Sequence, residues 1–429
     1  EIRTDGGMNT ARISPRTLAE VAERVFLRSL NRFGTAGILQ GCGCRGQGGM
    51  TTRRKTTFCG QDMTDALKKI NQDIVPVTQW FPQGRGWAEP LPWVIAGPCS
   101  AESAEQMLAT ARGVVVSPHV KAFRAGIWKP RTRPNSFEGI GAEGLDWLTR
   151  VKAETGLPTA TEVANRRHVE LCLEHGVDIL WIGARTTVSP FSVQEIADAL
   201  RGSDIPVFVK NPINAELALW VGAIERLYAV GVRKLGAIHR GFSTYGQMQF
   251  RNDPKWQIPI ELKRLLPNLP LICDPSHITG SRQLVEPVSQ MAMDLGIQGL
   301  IIESHIDPDH ALSDAKQQVT PEELCRMLER LKVRNAGITD REVKRKIAQF
   351  RAEISQVDVR IIQDLAERMR WVDEIGRLKH EHNIPVLQID RWENLLGDHI
   401  ARGQKEGLDA EFIKALFELI HAQAVKRQL

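Results

Sequence analysis

Between Trp93 and Asn335 the chain alternates short apolar runs with amphipathic stretches of helical period. The apolar runs predict strands at Trp93–Cys99, Val120–Ala125, Pro158–Val163, Asp178–Gly183, Pro206–Lys210, Lys234–His239, Pro270–Asp274 and Gly299–Glu303, each closed by turn or charged residues. Helical segments between them include Gly144–Glu154, Arg166–His175, Ser192–Leu200, Glu216–Ala229, Arg282–Leu295 and Pro321–Leu331. Strand–helix alternation implies a parallel sheet. Eight such units in about 240 residues is the size of a (β/α)₈ TIM barrel, so the fold class is α/β. An open doubly wound sheet would carry a Gly-rich dinucleotide fingerprint, and none is present.

After Gly337 the pattern changes. Arg341–His380 predicts a single helix much longer than is usual in a globular domain, with an apolar stripe of Ile347, Ile354, Ile361, Leu365, Val372 and Ile375. Pro385 ends it, and shorter helices follow at Arg391–Gly403 and Asp409–Arg427. The barrel is therefore expected over residues 63–335 and an all-α domain over 336–429. Residues 1–62 fit neither pattern. They contain the Gly-rich run Gly41–Gly49, the basic run Thr51–Thr57 and, at most, a short helix at Leu18–Leu30. Cys42, Cys44 and Cys59 lack a fourth ligand at a metal-knuckle spacing. This stretch is expected to lie outside the folded enzyme, which would begin near Met63.

Composition narrows the function classes. The chain of 429 residues is 42% hydrophobic and 25% charged, and it contains no apolar run near the roughly 18 residues that span a bilayer. A net charge of +5 suits a few anion-binding pockets, not a nucleic-acid surface. The seven cysteines, odd in number and without framework spacing, point to a reducing compartment, by default the cytoplasm.

A TIM barrel carries its chemistry at the C-terminal ends of its strands. Read in order, those ends hold Cys99; Arg124 with Lys129 and Arg131; Glu162; Arg185; Lys210; Arg240; His277; and Glu303. The six cations Arg124, Lys129, Arg131, Arg185, Lys210 and Arg240 exceed the need of one phosphate. They predict two anionic substrates, or one with several anionic groups. Cys99, His277, Glu303 and Asp314 offer a thiolate, an imidazole and two carboxylates, which suit one borderline divalent metal such as Mn²⁺, Fe²⁺, Co²⁺ or Zn²⁺.

These residues sit in motifs that resemble a known family. GPCS at Gly97–Ser100, Lys121–Thr132, Ile182–Thr186, Val209–Pro212, His239–Phe242, DPSH at Asp274–His277, and ESH followed by SDAKQ (Glu303–Gln317) fall in the order of the type I 3-deoxy-D-arabino-heptulosonate-7-phosphate (DAHP) synthases. The resemblance implies condensation of phosphoenolpyruvate with erythrose 4-phosphate, releasing phosphate. It implies Cys99, His277, Glu303 and Asp314 as ligands of Mn²⁺ or a similar metal, and Arg124, Lys129, Arg185, Lys210 and Arg240 around phosphoenolpyruvate. Arg131 and Thr132 would hold the aldose phosphate, with Lys129 and His277 catalytic and Glu162 managing water. A synthase using arabinose 5-phosphate usually reads KANRS where this chain has Lys129-Pro130-Arg131-Thr132, so that rival is set aside.

In the tail, Arg368 and Lys379 are three helical turns apart and share a face. With Arg351, Asp390–Leu396 and Gln428, they make the tail similar to the all-helical chorismate mutases. The resemblance implies a cofactor-free rearrangement of chorismate to prephenate in a pocket shared by two chains of a homodimer. Arg368, Lys379 and Gln428 would be catalytic, and Gln388 and Arg391 would bind substrate beside the partner's copy of Arg351. Gln388 and Trp392 replace the more common Asp and Glu. The alternative is a non-catalytic clamp that senses prephenate or chorismate.

Overall fold

The computed structural model describes residues 65–81, 87, 89–129, 137–245, 249–334, 337, 340–387 and 389–429, and of 389–391 only the backbone. Eight parallel strands close in chain order. They are β1 (Trp93–Gly97), β2 (Val120–Arg124), β3 (Thr159–Val163), β4 (Ile179–Ile182), β5 (Val207–Lys210), β6 (Leu235–His239), β7 (Leu271–Cys273) and β8 (Gly299–Glu303). The barrel shuts where β8 pairs with β1, with Gly97 opposite Glu303.

Successive strand side chains face opposite ways, and this period of two builds two separate cores. Trp93, Ile95, Ala122, Ala160, Ile179, Trp181, Phe208, Ile238, Ile272 and Ile301 fill the barrel interior. Val94, Ala96, Phe123, Leu180, Ile182, Val207, Val209, Leu235, Ala237, Leu300 and Ile302 pack outward with the surrounding helices. Both faces of every strand are thus apolar, which is why the runs read as continuous hydrophobic stretches.

The predicted strands are all present, β8 with the bounds expected and the other seven shortened by one or two residues. Two outer helices that the sequence reading did not name, Ala104–Val114 and Gln257–Leu265, complete the ring, and Arg282–Leu295 divides into a 3₁₀ turn, Arg282–Leu284, and a helix, Val285–Asp294. The barrel floor was also not foreseen. Trp80 and Trp87, ahead of β1, join the interior core; Trp80 meets Phe208 at 5.2 Å between ring centroids and Trp87 meets Trp93 at 5.1 Å. Leu67 and Ile70 on the helix Asp65–Asp73 are buried in the outer core.

The tail forms three helices, Arg341–Glu381, Ile389–Lys405 and Ala410–Gln428. Asp340 caps the first, its carboxylate accepting from the backbone N–H groups of Glu342 and Val343. In the C-terminal half of this helix Met369 and Val372 pack against Ala424 and Ile420. Of the predicted stripe, Val372 is buried, whereas Ile354, Ile361 and Ile375 are exposed and Ile347 and Leu365 half-buried in the single chain.

At the β1–β2 contact, Gly97 has φ +148°, and a β-carbon there would overlap the Arg124 carbonyl oxygen. Gly97→Ala should therefore destabilise the barrel by about 3 kcal/mol, from overpacking added to backbone strain. A lowered midpoint in urea unfolding is the measurement; an unchanged midpoint would contradict the close approach.

Candidate active site

The period of two that fills the barrel also equips its mouth. Two residues beyond inward-facing Ala122, Ala160, Phe208, Ile238, Ile272 and Ile301 come Arg124, Glu162, Lys210, Arg240, Asp274 and Glu303. The apolar interior therefore gives way to a layer of charge one step further along these six strands; on β1 and β4 the same step reaches Gly97 and Gly183. Trp181 lies beneath this layer, with the Arg124 guanidinium 5.1 Å and the Lys210 ammonium 5.6 Å from its ring centroid. Its indole N–H donates to Glu162 at 2.9 Å.

Buried charges need partners, and most here have one. Lys210 Nζ donates to Asp274 Oδ2 at 2.9 Å, and Arg124 Nη2 stands 3.3 Å from Glu303 Oε1. Arg240 donates to the Asn252 side chain at 2.7 Å. Burial holds its guanidinium down to about 10; Asp274 opposes that shift, and Arg251 and Arg185 add to it. Arg124, only 1% exposed, nevertheless leaves Nε and Nη1 without hydrogen-bond partners. Unmade bonds of a buried cation are costly, and an anionic ligand would satisfy them.

Beside Arg124 the Cys99 sulfur and oxygens of Glu303 and Asp314 lie within 4.8 Å of one another, a possible metal-ion cluster. His277 Nε2 is 3.7 Å from Glu303 Oε1. The other ring nitrogen of His277 bonds Asp274 at 3.0 Å, which fixes the tautomer and leaves Nε2 as the lone-pair side. Glu303 Oε1 is buried and makes no hydrogen bond. Burial works against ionisation of Glu303 and Asp314, but His277 together with Arg124 or Arg251 outweighs it and holds both carboxyls below their ordinary values. The Cys99 thiol goes the other way, pushed up to about 12 by burial and then by Glu303. It rests 3.0 Å from Lys129 Nζ and 3.3 Å from Asp314 Oδ2. A thiol, an imidazole and two carboxylates converging on an unpartnered buried oxygen fit a borderline divalent cation.

In the tail, Arg368 Nη1 and Gln428 Oε1 are likewise buried and unpartnered. Burial lowers the Arg368 guanidinium from its ordinary value. Lys379 Nζ donates to the Val386 carbonyl at 2.6 Å, and Arg351 is exposed on the unpacked half of its helix. Trp392 stacks on His421 at 3.8 Å, fastening the second tail helix to the third.

The DAHP synthetase I family matches residues 86–337, more than half of the chain. The chain belongs to that family. Chorismate mutase type II matches residues 350–429. The protein is thus a bifunctional shikimate-pathway enzyme, a DAHP synthase followed by a chorismate mutase. A phospho-2-dehydro-3-deoxyheptonate aldolase of Thermotoga maritima is 32% identical over 239 residues, 56% of this chain and 68% of its own. A 2-dehydro-3-deoxyphosphooctonate aldolase of Geobacter sulfurreducens is 29% identical over 265 residues, 57% of this chain and 92% of its own. Among solved structures, the crystal structure of a Thermotoga maritima DAHP synthase is similar, with TM-score 0.50 and 31% identity over 55% of this chain and 67% of that one. Type I DAHP synthases are generally metal-dependent, in keeping with the cluster at Cys99. Among the described residues, no helix is long and apolar enough to cross a membrane.

Of the predicted site residues in this DAHP synthase, Cys99, Arg124, Lys129, Glu162, Lys210, Arg240, His277, Glu303 and Asp314 all belong to the mouth or its rim. Arg185 lies exposed on the short helix Ala184–Thr187. Arg131, Thr132 and Gln388, the Arg391 side chain and the cysteines before residue 62 fall outside the described residues. Sequence reasoning missed Asp274, which bonds both Lys210 and His277, although inward alternation from Ile272 would have found it. It also missed Asn211, Arg251, Asn252, Gln317 and Gln318. Gln318 accepts from the Cys99 backbone N–H at 2.9 Å. No strand-end rule reaches these residues.

A cation taken up by the Cys99 cluster must displace the thiol proton, because metals bind the thiolate. With that thiol near 12, one proton leaves per metal bound throughout the neutral range. The His277 imidazole, lowered chiefly by burial despite Asp274, adds none. Apparent Mn²⁺ affinity should therefore rise about tenfold per pH unit between pH 7 and 9. Chelator competition at both ends of that range measures it, and pH-independent affinity would exclude Cys99 as a ligand.

Proposed function

We propose that the barrel mouth, within a domain of residues 63–335, condenses phosphoenolpyruvate with erythrose 4-phosphate. Arg124, Lys129, Arg185, Lys210 and Arg240 hold phosphoenolpyruvate by its carboxylate and phosphate, while Arg131 and Thr132 hold the aldose phosphate. Cys99, His277, Glu303 and Asp314 hold one divalent metal, Mn²⁺ or similar. When bound, that ion supplies Lewis-acid polarisation of the aldehyde. The cationic lining offsets the repulsion of two anions brought into contact, so that the enol carbon meets the aldehyde carbon. Lys129 donates a proton to the oxygen that becomes a hydroxyl. Glu162 takes the proton of the water that adds to the phosphoenolpyruvate-derived carbon before phosphate leaves. The observation that carries this reading is Arg124, a buried guanidinium with two unpartnered nitrogens beside the Cys99 cluster.

For the tail, residues 336–429, chorismate carboxylates would meet Arg368, Arg391 and Arg351, with Gln388 binding a substrate hydroxyl. Lys379 and Gln428 stabilise charge developing on the ether oxygen. Arg351 and Lys379 are 28 residues apart on one helix, or about 42 Å, too far to grip one small molecule. Arg351 must therefore be supplied by a second chain. The exposed Phe350, Ile354, Ile361 and Ile362 on the same half of the helix supply an apolar seam for that partner. A homodimer with shared mutase pockets is the arrangement this spacing supports.

Cys99→Ser, or exhaustive chelation, should abolish heptulosonate formation and leave prephenate formation intact; full synthase turnover in a metal-free sample would contradict the ligand assignment. Arg351→Ala and Arg368→Ala should each lower mutase turnover at least a hundredfold, since each strips a carboxylate of its charged partner. Mixing the two variants should regenerate one intact pocket per exchanged dimer. No recovery, with subunit exchange demonstrated by mass, would rule out pockets built from two chains.

A further inference from the structure

We infer that Arg251 and Gln317 form a bracket that decides which oxygen each metal-binding carboxylate presents, and so governs the metal that the site accepts. The inference rests on Cys99, His277, Glu303 and Asp314 being the ligands. Arg251 Nη1 donates to Asp314 Oδ1 at 2.9 Å and to Gln317 Oε1 at 2.8 Å. Gln317 in turn donates from Nε2 to Glu303 Oε2 at 2.6 Å. A guanidinium can only donate, so the Gln317 oxygen must face Arg251 and its NH₂ must face Glu303. The amide has no alternative orientation that keeps both bonds.

One oxygen of each carboxylate is thereby engaged from outside. The remaining ones point inward: Asp314 Oδ2 lies 3.3 Å from the Cys99 sulfur, and Glu303 Oε1 is buried with no hydrogen bond. Gln317 is 1% exposed, so water cannot replace a bond it loses. Asp314 itself sits in the left-handed region at φ 48°, and its carbonyl accepts from the Gln317 backbone N–H at 3.1 Å. The loop that bears Arg251 is pinned in turn, because the backbone N–H groups of Arg251 and Asn252 donate to Thr279 and Ile278, just after His277. The bracket thus ties the β6–β7 loop and the segment after β8 to the residues that follow β7.

The chemical consequence is selectivity. Both carboxylates are held as single-oxygen donors, and bidentate binding would break a charge-assisted bond at each, the one at Glu303 buried. Calcium takes six to eight oxygens and favours bidentate carboxylates, whereas a sulfur, a nitrogen and two single oxygens suit Mn²⁺, Fe²⁺, Co²⁺ or Zn²⁺. Arg251 acts here as a positioning residue that sets Asp314.

The test is cobalt binding to the full-length chain, followed by the thiolate-to-cobalt absorption band and by chelator competition, with calcium as competitor. Arg251→Met and Gln317→Leu should each weaken Co²⁺ binding about ten- to a hundredfold, the range for lost outer partners. Each should also make calcium a better competitor, and Arg251→Lys should restore part of the affinity. Circular dichroism of the metal-free variants verifies the fold. If Arg251 is only a counter-charge to Asp314 that a bound metal would replace, Arg251→Met will bind cobalt as tightly as the parent or more so, and the bracket is wrong. A parent chain without the thiolate band would overturn the ligand assignment as well as the bracket; a parent with the band and unaffected variants would overturn the bracket alone.

Discussion

Arg124 is buried at the barrel mouth, 3.3 Å from Glu303, with two of its nitrogens lacking any partner. The layout of the mouth depends on the electrostatic problem this creates. Lys210 and Asp274 neutralise each other, and the His277 ring nitrogen lies against the same carboxylate. Removing one member of such a buried pair costs about 3–5 kcal/mol, because the survivor is left charged in a dry place. The mouth is therefore a mutually dependent set whose unsatisfied positions, among the described residues, include Arg124 Nε and Nη1 and Glu303 Oε1. Those are the positions that the proposed anionic substrate and cation would complete.

The fold supplies this set at little additional cost. A strand that buries an aliphatic residue inside the barrel necessarily sends the residue two places on into the same lumen. Where the lumen opens, that residue can be charged, provided its neighbours across the mouth neutralise it. Ile301 with Glu303 and Phe208 with Lys210 show the same step on different strands. Below, Trp181 closes the apolar layer and presents its ring to the two cations above. Gly97 allows β1 to approach Arg124 closely enough for the Cys99 carbonyl to accept from Arg124 at 3.2 Å.

The strands and their charged ends were legible in the sequence because both signals are local: an apolar run, then a charge. What was not legible depends on contacts between distant segments. Arg251 reaches Asp314 across 63 positions, and nothing in the neighbourhood of either predicts the pairing. Neutral amides such as Gln317 and Gln318 carry no charge signal, although they place the oxygens and backbone of the candidate ligands. Trp80 and Trp87 precede the first recognised strand and follow no period, so their role in the barrel floor was invisible. In the tail the helix lengths were evident, because 3.6-residue periodicity is strong over 41 residues. Its apolar stripe did not reveal what covers it, since the exposed Ile354 and Ile361 find no partner in one chain.

The two halves of the protein meet the same requirement by different means. Both leave buried guanidinium nitrogens unpaired, Arg124 in the barrel and Arg368 in the tail, but only the barrel surrounds its cation with thiol, imidazole and carboxylate donors. The claim that those donors bind metal is the centre of the account. X-ray absorption at the edge of Mn²⁺ or Co²⁺ bound to the full-length protein tests it most directly. The account predicts one sulfur scatterer at about 2.3–2.5 Å, one imidazole, and oxygen donors from two carboxylates, with the sulfur lost in Cys99→Ser. A first shell of oxygen and nitrogen alone, unchanged by that substitution, would contradict it.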